Sequence, residues 1–246
     1  MDVTVLGASG SYGAPAGGAC SGYLVRAGST NLWVDCGNGT FPALQRHLAV
    51  DDLTAVVITH EHPDHCVDIY GLAVLLRWGR PERAGEMMPV YGPAGLAERL
   101  GTLVGGDWGG VLSWAEVDDG DEVAVADARL RFSRTDHPPP TVAVEVAHGG
   151  KRLVYTADTG PGWTVAAFGS GADLVLSEAT FQRDSERDDL HLSARQAGEA
   201  ARAAGARRLM LTHLWPGLDP AVSAAEGSEA FGGPVTLAAP HVRVRV

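Results

Sequence analysis

The feature that most constrains this chain is the decapeptide Val56-Val57-Ile58-Thr59-His60-Glu61-His62-Pro63-Asp64-His65. Its apolar, β-branched start is of the kind that forms a strand buried on both faces. It runs directly into three histidines and two carboxylates within six positions. Side chains two apart in an extended segment share a face, so His60 and His62 can converge on one ion. Pro63 ends the strand and suits the first turn of a helix, which turns Asp64 and His65 towards a second ion. Imidazole nitrogen and carboxylate oxygen are ligands for zinc, and also for manganese or iron. A histidine-rich solvated loop is the bland alternative. Histidine is scarce, however, nine in 246 residues, and chance seldom gathers three at H-x-H-x-D-H spacing.

Three later segments repeat the pattern of a β-rich run that ends in a ligand-type residue. Leu130–Thr135 leads to Asp136 and His137, Arg152–Ala157 leads to Asp158, and Arg207–Thr212 leads to His213. Each alone is weak, because polar residues are common at strand ends. Together they fit a sandwich that carries its strand ends to one edge, where ligands can converge. The decapeptide resembles the metal-binding signature of the metallo-β-lactamase superfamily, and the later segments match the order of its phosphodiesterase branch. That resemblance implies a first ion held by His60, His62, His137 and Asp158. It implies a second held by Asp64, His65, His213 and the same Asp158. A shared aspartate suits two metals about 3.5–4 Å apart, where the thiolate of β-lactam-hydrolysing members does not. The expected cofactor is a pair of divalent ions, zinc first, with manganese or iron as alternatives.

Ser177-Glu178-Ala179-Thr180-Phe181 and His191-Leu192-Ser193 resemble the glutamate and histidine of tRNA 3′-processing endonucleases and related phosphodiesterases. A hydroxide held between two metals can attack phosphorus, but the departing alkoxide must be protonated. The resemblance makes His191 the general acid, with Glu178 orienting the ring and favouring its cation. Asp64 completes the expected catalytic set. The competing reading places His191 merely ahead of a Ser193 helix cap and leaves Glu178 on the surface. Leu6-Gly7-Ala8-Ser9-Gly10-Ser11 and Ala19-Cys20-Ser21-Gly22-Tyr23-Leu24-Val25 are similar to segments of actinobacterial cyclic-nucleotide phosphodiesterase-like members. The glycine-rich stretch Gly7–Gly18 is either an anion-binding nest of backbone N–H groups or a plain connection. His47, His148 and His241 have no ligand-type company and receive no role.

Charge helps to choose among substrates. A net charge of −11 disfavours a long polyanion, which is held by clustered Lys and Arg, but not a small anion held by metal. The tRNA-processing members grip tRNA with an arm between the third histidine ligand and the bridging aspartate. Here 20 residues separate His137 from Asp158, and one hairpin fills them. The expected activity is hydrolysis of small phosphodiesters, foremost 3′,5′-cyclic nucleotides to 5′-monophosphates. A tRNA 3′-processing activity and lactone or ester hydrolysis are the alternatives, and a non-enzymatic scaffold would be expected to lose ligands. No apolar stretch approaches the ~20 residues that span a bilayer, and Met1–Gly7 lacks the marks of a secretory signal. Cys20, Cys36 and Cys66 form no C-x-x-C pair and suit a reducing compartment. The expectation is a cytoplasmic enzyme for a small-molecule phosphodiester, with no membrane or large nucleic acid as partner. Homodimerisation is left open.

A chain of 246 residues, 45% hydrophobic, can build a sizeable core as one domain over 1–246. Helices are expected over Phe41–Leu48, Asp64–Trp78, Ala94–Val104, Ser193–Ala204 and Pro220–Phe231. Val67, Tyr70, Leu72, Val74 and Leu75 supply the buried face of the second. Arg77–Met88 and Gly105–Trp114 read as loops that shape the pocket, the former as its rim. Strands and helices alternate in both halves, which suggests two β-sheets face to face with helices outside. The resemblance implies the specific α/β architecture, an αββα sandwich of two mixed sheets.

Overall fold

The structure is a computed structural model that describes residues 1–14, 18–80, 85–104, 106, 108–187 and 189–246. In chain order it runs β1 (Asp2–Gly7), β2 (Gly22–Ala27), β3 (Thr30–Val34), α1 (Thr40–Gln45), β4 (Ala55–Val57), α2 (Pro63–Cys66) and α3 (Ile69–Trp78). Then come β5 (Met88–Gly92), α4 (Leu96–Gly101), β6 (Leu112–Glu116), β7 (Glu122–Val125), β8 (Ala128–Arg134), β9 (Val142–His148) and β10 (Lys151–Tyr155). The chain finishes with β11 (Leu174–Glu178), α5 (Ala194–Ala203), β12 (Leu209–Thr212), α6 (Pro220–Phe231), β13 (Thr236–Leu237) and β14 (Arg243–Arg245). Among the described residues these strands form two mixed sheets, ordered β14-β1-β2-β3-β4-β5-β6 and β13-β12-β11-β10-β9-β8-β7.

Side chains alternate across each strand, so a strand covered on both sides feeds two cores at once. β3 sends Leu32 and Val34 between the sheets and Trp33 outward, where Phe41 stacks on it at 5.7 Å. β10 sends Leu153 and Tyr155 inward and Val154 into the outer cluster with Ala197 and Ala201 of α5. Three apolar layers result. One lies between the sheets, one joins the first sheet to α1, α3 and α4, and one joins the second sheet to α5. This is the expected αββα sandwich of two mixed sheets with helices outside.

Strand direction decides where function can sit. β3 and β4 are parallel, and β8 points the same way as β10, β11 and β12 because β8 and β10 both pair antiparallel with β9. The carboxyl ends of both sets meet at one edge. There Val142 N donates to Thr59 O at 3.1 Å, and the Tyr155 hydroxyl donates to Asp35 Oδ2 at 2.8 Å, tying sheet to sheet.

Four expectations need correction. The helix expected over Asp64–Trp78 is two helices. Asp68 N donates to Cys36 O at 2.7 Å rather than to the carbonyl four residues back, and its carboxylate accepts from Phe41 N at 2.7 Å. The interrupted ladder re-aims α3, so Ile69, Leu72 and Ala73 are buried while Val74 is 57% exposed. Residues Leu112–Trp114 of the expected Gly105–Trp114 loop instead open β6, which pairs in parallel with β5. Only Leu112 of that strand is buried, so its one-sided cover leaves little apolar signal to read. The helix expected over Ala94–Val104 is the shorter α4 followed by a 3₁₀ turn, Thr102–Val104. Finally, Leu76, Glu86, Met87 and Met88 share a cavity with Leu53 and Thr54, ahead of β4. That is the amino end of the parallel strands, opposite the edge just described, so this part of Arg77–Met88 is no rim; residues 81–84 lie outside the described residues. No described helix is long and apolar enough to cross a membrane.

Candidate metal centre

Every expected ligand lies just past the carboxyl end of a strand or in the turn that follows. His60 and His62 follow β4, Asp64 and His65 sit in α2, and His137, Asp158 and His213 follow β8, β10 and β12. The fold brings them into two sets whose ligand atoms lie within 4.8 Å of one another: His60, His62, His137 with Asp158, and Asp64, His65 with His213. In the first set His62 Nδ1 lies 3.1 Å from His60 Nε2 and 3.4 Å from His137 Nε2. Asp158 Oδ2 lies 3.6 Å from His60 Nε2 and 4.0 Å from His137 Nε2. In the second set Asp64 Oδ2 lies 3.6 Å from His65 Nε2 and 3.3 Å from His213 Nε2. Asp158 turns its other oxygen, Oδ1, to this set, 3.3 Å from His65 Nε2 and 3.5 Å from His213 Nε2.

These spacings fit small divalent ions. A tetrahedron with zinc–nitrogen bonds of about 2.0–2.1 Å has edges of roughly 3.3–3.4 Å. Asp158 divides its two oxygens between the sets, as a bridging carboxylate would. Five buried side-chain atoms among the described residues have no hydrogen-bond partner, and two of them, His65 Nε2 and Asp158 Oδ1, face each other here. Leaving such atoms unpaired costs about 1–3 kcal/mol each, which a cation between them would offset. Burial, aided by the neighbouring His65, holds His60 well below the usual imidazole value, keeping it neutral with a lone pair to offer. Burial alone would raise Asp158, but His213 and His65 beside it hold the carboxyl well below its ordinary range.

Outer partners fix which nitrogen of each ring faces inward. Asp35, fully buried just past β3, accepts from Thr59 N at 2.8 Å, the Thr59 hydroxyl at 3.0 Å and His65 Nδ1–H at 2.7 Å. His65 Nε2 is thus the nitrogen turned to the site. Burial disfavours the His65 cation, but the Asp158 and Asp35 carboxylates outweigh it and hold the imidazole well above its usual value, so a bound metal ion would take the place of the Nε2 proton. Since the Thr59 proton goes to Asp35, His60 Nδ1–H must donate to Thr59 Oγ1 at 3.1 Å, which frees His60 Nε2. His137 Nδ1–H donates to Leu190 O at 2.9 Å, and His213 Nδ1–H donates to Thr180 Oγ1 at 2.8 Å. Sequence reasoning missed Asp35, Thr59, Thr180 and Leu190. Asp35 alone carried a signal, since it ends the buried run Leu32-Trp33-Val34 much as Asp158 ends its own strand. Replacing Asp35 by asparagine should lower metal affinity about 10–100-fold, because the amide can present its NH₂ to His65 and disturb the tautomer. Competition with a chromophoric chelator would measure the loss; an unchanged affinity would remove Asp35 from this role.

Glu178, at the end of β11, is fully buried rather than on the surface. Its Oε1 accepts from Thr159 N at 2.8 Å and His191 Nδ1–H at 3.0 Å, while Oε2 accepts the Thr180 hydroxyl at 2.8 Å. One carboxylate therefore sets both the His191 ring and, through Thr180, the His213 ring. Burial disfavours the His191 cation, but the Glu178 carboxylate outweighs it and pushes His191 up to about 9. Ser193 does cap α5, its Oγ accepting from Gln196 N at 3.1 Å, so the cap and the Glu178–His191 pair coexist. Backbone strain gathers at this edge. Asp35 (φ 59°), Ala157 (φ 52°), Leu190 (φ 67°) and His213 (φ 55°) are left-handed without being glycine, at about 1–3 kcal/mol each.

The glycine-rich stretch serves close approach. Ala8 N and Ser9 N donate to Ala19 O, and Gly10 N donates to Leu214 O, so these N–H groups are not free to form a nest. A Cβ on Gly10 would lie 2.8 Å from His213 O and 3.1 Å from His213 Nδ1. Pro15–Gly17 lie outside the described residues. His47 and His241 face each other at 2.8 Å, and His148 donates to Asp127 O at 3.0 Å, all apart from the two sets.

A family model described as the β-lactamase superfamily domain matches residues 30–214, a span that runs from β3 past His213. An uncharacterised protein of Mycobacterium leprae is 36% identical over 242 residues, covering 95% of this chain and 84% of its own. A ribonuclease Z of Mycolicibacterium gilvum is 33% identical over 252 residues, covering 89% of this chain and 86% of its own. The crystal structure of the metallo-β-lactamase fold protein YhfI from Bacillus subtilis matches with a TM-score of 0.89 at 28% identity, covering 99% of this chain and 98% of that one. The chain belongs to the metallo-β-lactamase superfamily and is related to its metallo-hydrolases.

Proposed function

We propose that this chain is a dinuclear metal-dependent phosphodiesterase of small diesters, foremost 3′,5′-cyclic nucleotides, which it opens to 5′-monophosphates. The observation that carries this reading is the Glu178–His191 pair set beside the bridging Asp158, with His191 Nδ1 4.0 Å from Asp158 Oδ2. His60, His62, His137 and Asp158 would hold one ion, and Asp64, His65, His213 and Asp158 the other, with zinc the proposed metal. Such a pair of ions activates water and neutralises charge that develops on a phosphoryl group. His191 does the rest of the proton work. Its Nδ1–H is committed to Glu178, so the cation offers its Nε2 proton to the departing 3′ oxygen. Glu178 keeps that ring oriented and charged, while Asp64 and Asp158 stay ionised to hold the cations.

A second reading, tRNA 3′ processing, is favoured by the similarity to a ribonuclease Z. Against it, the residues between His137 and Asp158 form only the β9–β10 hairpin, closed by Gly149-Gly150 with both φ positive. The net charge of −11 also opposes a long polyanion. The metal-loaded protein should be offered cAMP, cGMP, a linear diester, a lactone and a tRNA precursor in ¹⁸O-water. Cyclic nucleotides should be opened with label on the product phosphate. Cleavage of the tRNA precursor alone would favour the second reading, and turnover of the lactone alone would reject both.

A further inference from the structure

A cavity of about 460 Å³ opens against the His62 ring, on the side of the centre formed by the decapeptide. Its size falls in the roughly 300–1,000 Å³ range of ligand clefts. Val67, Tyr70, Leu100 and Leu103 give it apolar walls. Tyr70 is held in place, its hydroxyl donating to Leu100 O at 2.7 Å and its ring stacked on Trp108 at 5.4 Å. Glu61 lies at a bend of the chain between His60 and His62 and lines this cavity beside His62. Arg99 Nη1 donates to both Glu61 oxygens, at 2.5 and 2.6 Å.

We propose that this recess receives the nucleobase of the substrate and that Glu61 favours bases that carry an exocyclic amine, a proposal that rests on the phosphodiesterase reading above. Three observations select this occupant. Arg99 is the sole cationic side chain among the described lining residues, and Glu61 already neutralises it, so the recess does not suit a second phosphate. The apolar walls and the fixed Tyr70 ring suit the face of a flat heterocycle, and Leu103, 77% exposed, is an apolar surface such a ring would cover. The Glu61 carboxylate keeps lone pairs after binding Arg99, so it can accept from the exocyclic amine of adenine or guanine. A plain acyl tail would leave that acceptor unengaged.

The test uses the metal-loaded full chain. The ratio of kcat/KM for cAMP to that for ribose 3′,5′-cyclic phosphate, which lacks the base, reads the recess directly. Thr102→Trp places an indole in the recess from its exposed rim, and the ratio should fall at least 10-fold. Adenosine, which undergoes no reaction, should shift the methyl NMR signals of Val67, Leu100 and Leu103, whereas ribose should not. Glu61→Gln should weaken adenosine binding about 10-fold more than binding of purine riboside, which has no amine. If the protein opens cAMP but Thr102→Trp leaves the ratio unchanged and adenosine moves none of those methyls, the recess proposal is overturned while the phosphodiesterase reading stands. If neither cyclic diester is opened, the phosphodiesterase reading fails and takes the recess with it.

Discussion

Replacing His191 by alanine should leave two ions bound per chain and slow the opening of cAMP by about 10²–10⁴-fold, the usual worth of general acid catalysis. His191 lies close to the proposed ligands, 4.0 Å from Asp158 and stacked on His213 at 5.4 Å, and could form a third ligand group with them. The two effects should nevertheless separate, because its Nδ1–H is committed to Glu178. An alkoxide is a poor leaving group and needs its proton as the P–O bond breaks. p-Nitrophenolate needs little help, so the loss on a p-nitrophenyl diester should be much smaller. Equal losses on both substrates would show that His191 acts by some route other than proton donation. Loss of metal would show a structural role.

Asp158→Ala should have the larger effect of the two on composition as well as on rate. The variant loses one carboxylate oxygen from each set at once, and with it the charge that would draw both proposed cations into a buried site. Metal analysis should give a ratio near two for the native chain and at most one for the variant. A native ratio near one, unaltered in Asp158→Ala, would defeat the dinuclear assignment. Added zinc or manganese belongs in both measurements, because ligand protonation makes occupancy depend on pH.

The part of this centre legible from sequence is the part written in local periods. Two-residue alternation and Pro63 sufficed to aim His60 and His62 one way and Asp64 and His65 another. The strand ends at His137, Asp158 and His213 follow the same logic. What escaped was the shell of partners whose meaning depends on residues far along the chain. Asp35 looks like a turn residue until His65 arrives beside it, and Thr180 looks like a loop residue until it lies between Glu178 and His213. The break in the Asp64–Trp78 helix was hidden for the same reason, since the competing acceptor is the Cys36 carbonyl. β6 failed differently, as a sheet-edge strand that buries one residue.

The seam between the two sheets has a consequence for the order in which the molecule is completed. Under the proposed assignment, each ion draws two ligands from the sheet that contains β4 and two from the sheet that contains β8, β10 and β12. Neither sheet alone can supply more than a pair to either ion, and a pair of ligands grips a divalent cation weakly. The strand that places His213 also follows β4, β8 and β10 in the chain. A nascent or half-docked chain therefore offers no finished trap for zinc, and capture waits until both sheets have closed on each other. In a zinc finger the metal directs folding; here the cation would act as an inspection stamp, set only on chains already assembled.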